Sequence, residues 1–198
     1  MGDEELLRRW QEGDPEAGAA LVEKHRASLA AFFRERVPPE EAPDLLQDTL
    51  LTLVEACNRI RSHSSFRAFA FGVARRKLLE YSRKRKSTPL GDSVAALHSD
   101  ARSAAALLER KADSDITIAA LRSLPLDEQL LLQLSGYQSL KRRELAEVFD
   151  VPLGVIGGRL YRARQRLLRT IEKLQDSPAD VDSTETSLHA YWSNLGGS

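Results

Sequence analysis

An all-α protein made of two small helical domains joined by a linker is the fold this sequence predicts, and three observations carry it. Apolar residues recur at helical spacing through most of the 198 residues. No stretch shows the alternating strand pattern flanked by hairpin turns. From Ser87 to Asp100 the composition shifts to Pro89, Gly91, serines and small residues, as linkers do.

Leu6, Leu7 and Trp10 make a short first helix that Gly13 ends. Asp14-Pro15 then reads as an N-cap followed by proline at the first helical position, where a missing N–H costs nothing. The second helix runs to about Val37 with Leu21, Val22, Leu29, Phe32 and Phe33 on its apolar face, and Pro38-Pro39 stops it. A third extends from about Pro43 to Cys57. Its expected buried stripe is Leu45, Leu46, Leu50, Leu53, Val54 and Cys57, which leaves Asp44, Gln47, Asp48 and Glu55 on other faces. Asn58 to Ser64 reverses the chain, and a fourth helix from Ser65 to about Lys86 begins aromatic (Phe66, Phe69, Phe71) and ends basic (Arg83, Lys84, Arg85, Lys86). These elements make a first domain over residues 1–86.

Residues 87–115 form the linker, within which Ala101 to Ala112 suits a short helix. The second domain, 116–173, takes its core from Leu121, Leu124-Pro125, Leu130-Leu131-Leu132 and Leu134. Lys141 to Phe149, the turn Asp150-Val151-Pro152 and a long helix from about Leu153 to Leu174 have helix-turn-helix spacing. Ala146 suits a close helix crossing. Ile156, Leu160, Ala163, Leu167 and Ile171 seat the long helix on the core, while Arg159, Arg162, Arg164, Arg166 and Arg169 fall on its exposed faces.

Several function classes are disfavoured. No apolar run approaches the ~18 residues that span a bilayer, and Met1-Gly2-Asp3-Glu4-Glu5 is not the start of a secretory signal, so a cytoplasmic protein without membrane insertion is expected. One cysteine, Cys57, excludes an internal disulfide, and His25, His63, His98 and His189 are scattered, so neither a metal nor another cofactor is expected. No acidic metal cluster, phosphate-binding glycine loop or Ser/His/Asp constellation points to an enzyme. Formal net charge is zero, but the charge is segregated. Arg75 to Lys86 holds seven basic residues against the single acid Glu80, whereas the acidic extension from Leu174 to Ser198 has four acids and no Lys or Arg.

A cationic helix face is often only solvated surface. Here the arginines lie on the second helix of a helix-turn-helix, the element that enters a major groove, and a second basic helix lies upstream in the other domain. Phe66, Phe69 and Tyr81 beside the upstream cations fit a surface for an opened strand, where bases stack on rings and cations follow the backbone.

The order of the motifs is more specific than any one of them. Gly13-Asp14-Pro15-Glu16-Ala17 is followed by Pro43-Asp44-Leu45-Leu46-Gln47-Asp48, and that by Phe66-Arg67-Ala68-Phe69-Ala70-Phe71-Gly72-Val73-Ala74-Arg75. Leu124-Pro125, Glu144-Leu145-Ala146, Pro152-Leu153-Gly154 and Arg159-Leu160-Tyr161-Arg162-Ala163-Arg164 complete the series. Over nearly all of residues 3 to 173 the chain resembles the extracytoplasmic-function sigma factors of bacterial RNA polymerase.

That resemblance implies a factor that binds core RNA polymerase and promoter DNA, with an anti-sigma factor as a plausible further partner. It implies that Asp44, Leu45, Gln47 and Asp48 dock on the polymerase clamp. The loop carrying Asn58, Ile60, Arg61, Ser62, His63 and Ser64 would capture a flipped base of the −10 element, with Phe69 and Arg76 alongside, at an extraction cost of a few kcal/mol. Arg83, Lys84, Arg85 and Lys86 would hold −10 DNA phosphates. The −35 duplex would be read at Gly157, Gly158, Tyr161 and Arg162, with phosphate contacts from Lys141, Arg159 and Arg164.

Departures from the family pattern are local. Phe69 stands for the usual tryptophan, Arg76 for asparagine, Lys141 for a small hydroxyl residue and Val155 for threonine. Gly157-Gly158 replaces a basic or polar residue followed by serine, removing two side chains that could reach bases. The rival reading is a helix-turn-helix regulator that binds duplex operators without polymerase.

Overall fold

The computed structural model describes residues 1–56, 60, 65–86 and 112–174, which hold eight helices and no strand. The chain divides into two compact units, one on residues 1–100 with 147–149 and the other on 101–146 with 150–198. The expected linker lies largely outside the described residues and the C-terminal extension almost wholly so, as do Cys57 and the short helix expected at 101–112 up to its last residue.

In the first unit α1 (Asp3–Gln11) packs on α2 (Pro15–Arg34), α2 on α3 (Ala42–Glu55), and α3 on α4 (Phe66–Lys86). The start of α2 has a complete local cause. Asp14 Oδ1 accepts the N–H groups of Glu16 at 3.0 Å and Ala17 at 3.1 Å, and Pro15 fills the next position. The Ala17 N–H, and after it the Arg9 guanidinium, hold the Asp14 carboxyl below the usual carboxylate range. The helix ends at Arg34, a turn earlier than the prolines alone predict.

Leu21, Leu29, Phe32, Phe33, Leu53, Phe71 and Leu78 form the core of this unit, each essentially inaccessible. Burying one such side chain contributes about 1.5–3 kcal/mol. Phe32 meets Phe33 and Phe71 edge-on at centroid distances of 5.3 and 5.8 Å, the arrangement aromatic quadrupoles favour. Trp10 and Phe66 meet in the same way at 6.3 Å, and the Trp10 indole lies over Gly18, where a Cβ would fall 2.5 Å from its Nε1.

In the second unit α5 (Ala112–Ser123) and α6 (Leu126–Gly136) both pack on α8 (Leu153–Leu174), and α7 (Arg142–Phe149) precedes α8. Gln129, buried, donates to the carbonyls of Leu124 at 2.7 Å and Arg122 at 3.0 Å, satisfying the end of α5 across the Leu124-Pro125 corner. Leu130, Leu134, Leu145, Ile156, Ala163 and Leu167 fill the core.

The turn between α7 and α8 is closed by Val151 N–H donating to the Ala146 carbonyl at 3.0 Å. Asp150 takes φ +51° there, a left-handed conformation that Asp tolerates better than most residues. Although Lys141 is not a hydroxyl residue, part of the usual cap survives. Glu144 reaches back to accept the Lys141 N–H at 2.8 Å, the carboxylate arm of a capping box.

Candidate nucleic-acid and polymerase interfaces

On α3 the core-facing residues are Ala42, Thr49 and Leu53, with the Thr49 hydroxyl donating to the Leu45 carbonyl at 2.7 Å. Leu45, Leu46 and Leu50 are only half-buried, and Val54, expected in the buried stripe, is 52% exposed. Thr49 takes the central core position because the hydroxyl is satisfied within its own helix. The opposite face therefore gathers Asp44, Gln47, Asp48, Leu51, Val54 and Glu55, with Leu51 itself 53% exposed. An apolar centre with a polar and acidic rim is the makeup of a protein interface. Leu51 was not among the expected site residues. The signal was legible, since Leu45, Leu46, Leu50, Leu51, Leu53 and Val54 spread over about 240° of the helix and one core cannot bury them all. Asp48 meets Lys77 only at 3.9 Å and stays 62% exposed on its side chain.

Along α4, Phe69, Arg76 and Arg83 are spaced by sevens and share one side, with Phe69 half-buried and both arginines exposed. Lys84 is also exposed. Arg85 is tied back to Tyr81, donating to its hydroxyl at 2.8 Å with the guanidinium 5.7 Å from the ring centroid. Phe66 corrects the expected stacking surface. It is buried against His25 and Trp10, because it enters at the first turn of α4 where α1 and α2 close over it. Of the −10 loop only Ile60 is described. Its side chain is buried and its carbonyl accepts from Gln11 Nε2 at 2.9 Å. Asn58, Arg61, Ser62, His63 and Ser64 lie outside the described residues.

On α8, Gly158, Arg159, Tyr161, Arg162 and Arg164 are all exposed, Gly157 is half-buried, and Lys141 is exposed at the start of α7. Arg159 and Arg164 diverge by about 140° around the axis, one on each flank of the face. Arg166 is used within the fold instead. It pairs with Glu128 of α6 at 2.6 Å and Arg169 Nε donates to the Gln165 carbonyl at 3.2 Å, so the outward cations concentrate toward the first half of the helix. Among the described residues no His, Cys, Asp and Glu group could hold a metal ion, and no helix is long and apolar enough to cross a membrane.

The family description "Sigma-70 region 2" matches residues 21–88, a segment that runs from within α2 through α3 and α4. The ECF RNA polymerase sigma-E factor of Escherichia coli K12 is 23% identical over 184 residues, covering 88% of this chain and 96% of that relative. The protein of the same name from Haemophilus influenzae is 22% identical over 185 residues, covering 88% and 97%. Residues 21–88 thus match sigma-70 region 2, and over 88% of its length the chain is similar to ECF RNA polymerase sigma-E factors. The fold agrees with two solved structures. CnrH, in complex with the cytosolic domain of CnrY, superposes with a TM-score of 0.64 at 22% identity, covering 88% of this chain and 99% of that chain. RpoE of Bartonella quintana, solved with the anti-sigma factor NepR, gives 0.54 at 23% identity, covering 77% and 93%. The chain thus shares the helical fold of both.

Proposed function

We propose that this chain is a sigma factor that binds core RNA polymerase through the outer face of α3 and directs promoter-specific initiation by holding −10 DNA on α4 and reading −35 duplex with α8. The supporting observation is the separation of two different surfaces within one chain. An apolar face with an acidic rim lies on α3, whereas α4 and α8 carry exposed arginines, the distribution required to meet a protein and two stretches of DNA at once.

Asp44, Gln47 and Asp48 supply the polar rim and Leu51 and Val54 the apolar centre of the polymerase contact, with Leu45 supporting it from the half-buried side. Phe69 and Arg76 stand beside the −10 strand, and Arg83 to Lys86 hold its phosphates together with the loop from Asn58 to Ser64. Tyr161 and Arg162 meet −35 base pairs where Gly157 and Gly158 open the helix surface, while Lys141, Arg159 and Arg164 contact phosphates. This work is binding, with no bond made or broken by the factor, and it takes place in the cytoplasm where polymerase and promoters meet. An anti-sigma partner is the regulation that the complex of the Bartonella relative suggests.

Transcription by purified core polymerase tests this reading. Addition of the factor is expected to give discrete promoter-dependent start sites on genomic templates. Absence of specific initiation, together with tight operator binding by the factor alone, would overturn it in favour of a polymerase-independent regulator.

A further inference from the structure

The first half of α8 contains Gly154, Gly157 and Gly158, and the latter two sit where glycine is less favourable than any residue but proline. Among the described residues, none packs on them in a way that requires glycine. A Cβ at Gly154 or Gly157 would meet nothing within 4 Å, and one at Gly158 would meet only the Arg162 guanidinium, Nη1 at 3.5 Å and Nη2 at 4.0 Å. Gly18 is the contrast, since Trp10 leaves no room for a side chain there. The described packing thus leaves room for side chains at the α8 glycines, unlike at Gly18.

Their surroundings indicate what fits that room. With Ile156, Leu160 and Ala163 buried, Gly154 and Gly158 fall in the middle of the opposite, solvent-facing side. Val155, 41% exposed, flanks this bare strip on one side and Tyr161, 65% exposed, on the other. Arg162 lies back across Gly158 toward the start of the helix, and Arg159 and Arg164 stand at the flanks for phosphates. Such a strip offers a duplex close backbone approach and apolar contact. In the major groove the apolar feature of a base edge is the C5-methyl of thymine.

We propose that α8 reads thymine methyl groups in the −35 duplex through Val155 and Tyr161 across a floor of Gly154 and Gly158, with Arg162, resting over Gly158, reading a guanine in the same site. The proposal rests on the assignment of α8 as the −35 reader and adds the base chemistry it recognises. Arginine is suited to guanine because its fork matches the O6 and N7 acceptors. A Cβ at 158 would stand in ordinary van der Waals contact with that fork, at 3.5 Å, so what glycine adds there is bare backbone that a duplex can approach.

The full-length factor, assembled with core polymerase, is used to select −35 sequences from a randomised duplex library with a fixed −10 element. Each thymine of the selected element is then replaced by deoxyuridine, which removes only the methyl group. The selected element is expected to contain thymine, and at one or more positions the replacement weakens binding roughly three- to tenfold, the scale of one buried methyl. Val155→Ala or Tyr161→Ala should abolish that penalty at its own position. Gly158→Ala should raise the melting temperature of the free factor yet weaken −35-dependent binding about tenfold, a split that helix propensity alone does not produce. An element without thymine, or deoxyuridine substitutions that are silent throughout, overturns methyl reading while leaving α8 as the −35 reader. Wild-type binding by Gly158→Ala overturns the glycine floor. A library with no −35 preference at all overturns both this proposal and the assignment beneath it.

Discussion

Asp3 joins α1 to α2 through two donors, Lys24 Nζ at 2.6 Å and His25 Nε2 at 2.7 Å. Burial alone would raise its pKa, but the hydrogen bonds from Lys24 and His25 outweigh that and hold the carboxyl below its usual value. A depressed native pKa stabilises the fold fully above the unfolded value, about 4, and this contribution disappears as pH falls through the lower native value. Asp3→Asn should therefore destabilise the factor by about 1 kcal/mol at neutral pH and flatten the acid limb of its stability. Thermal melts between pH 2.5 and 6 check this, and an unchanged acid limb would move the dependence to other carboxyls. At the face of α3 proposed to meet polymerase, Leu51→Asp and Asp48→Arg should each lower affinity for core polymerase about tenfold or more without changing the melting temperature, because neither side chain supports the core. A titration with labelled core reads this directly, and unchanged affinity in both variants would remove α3 from the contact. Single residues were unevenly legible in the sequence. Asp14 was readable because a cap depends only on its neighbours, whereas Arg166 was not, because its partner Glu128 is distant in the chain.

Among the helices, those with a local start or stop signal were readable to within a few residues. The bounds of α8 and the turn before it follow from Pro152 and the arrangement of Ile156, Leu160, Ala163 and Leu167, all of which are buried. The third helix was misread in part because the amphipathic pattern was taken to have one apolar side, while α3 keeps a second one on its surface. Glycines also differ by element in a way that sequence does not disclose. Gly18 is required by the α1–α2 crossing, and Gly18→Ala should cost roughly 1–3 kcal/mol as the Trp10 indole is forced from its seat. Gly157→Ala, in open space, should stabilise the free factor by up to about 1 kcal/mol. Denaturant unfolding of the two variants side by side tests the contrast, and equal effects would mean that the indole yields freely.

For the molecule as a whole, the family and the existence of two helical units were legible because the motifs occur in order along the chain, even though no single motif is decisive. If α4 and α8 engage one promoter while polymerase holds them, their angular relation on DNA is fixed. Inserting 5 base pairs between the −10 and −35 elements turns one element to the far side of the duplex, whereas about 10 restores the face but not the distance. Both insertions should reduce initiation on that promoter to near the level seen when the −35 element is deleted, as measured in a single-round transcription assay. Retained activity with 5 inserted base pairs would mean that α8 contributes nothing at −35. Finally, α1, α2, α3 and α4 are consecutive, and each packs mainly on its neighbour in sequence. Short chain closures of this kind place folding at the rapid end of the range for single domains. During synthesis, the buried side chains from Leu6 to Leu78 are all encoded by the end of α4. Once that helix has left the ribosome, α1 to α4 can pack on one another, only residues 147–149 of the first unit join later, and the surface we assign to polymerase is made before translation reaches α8.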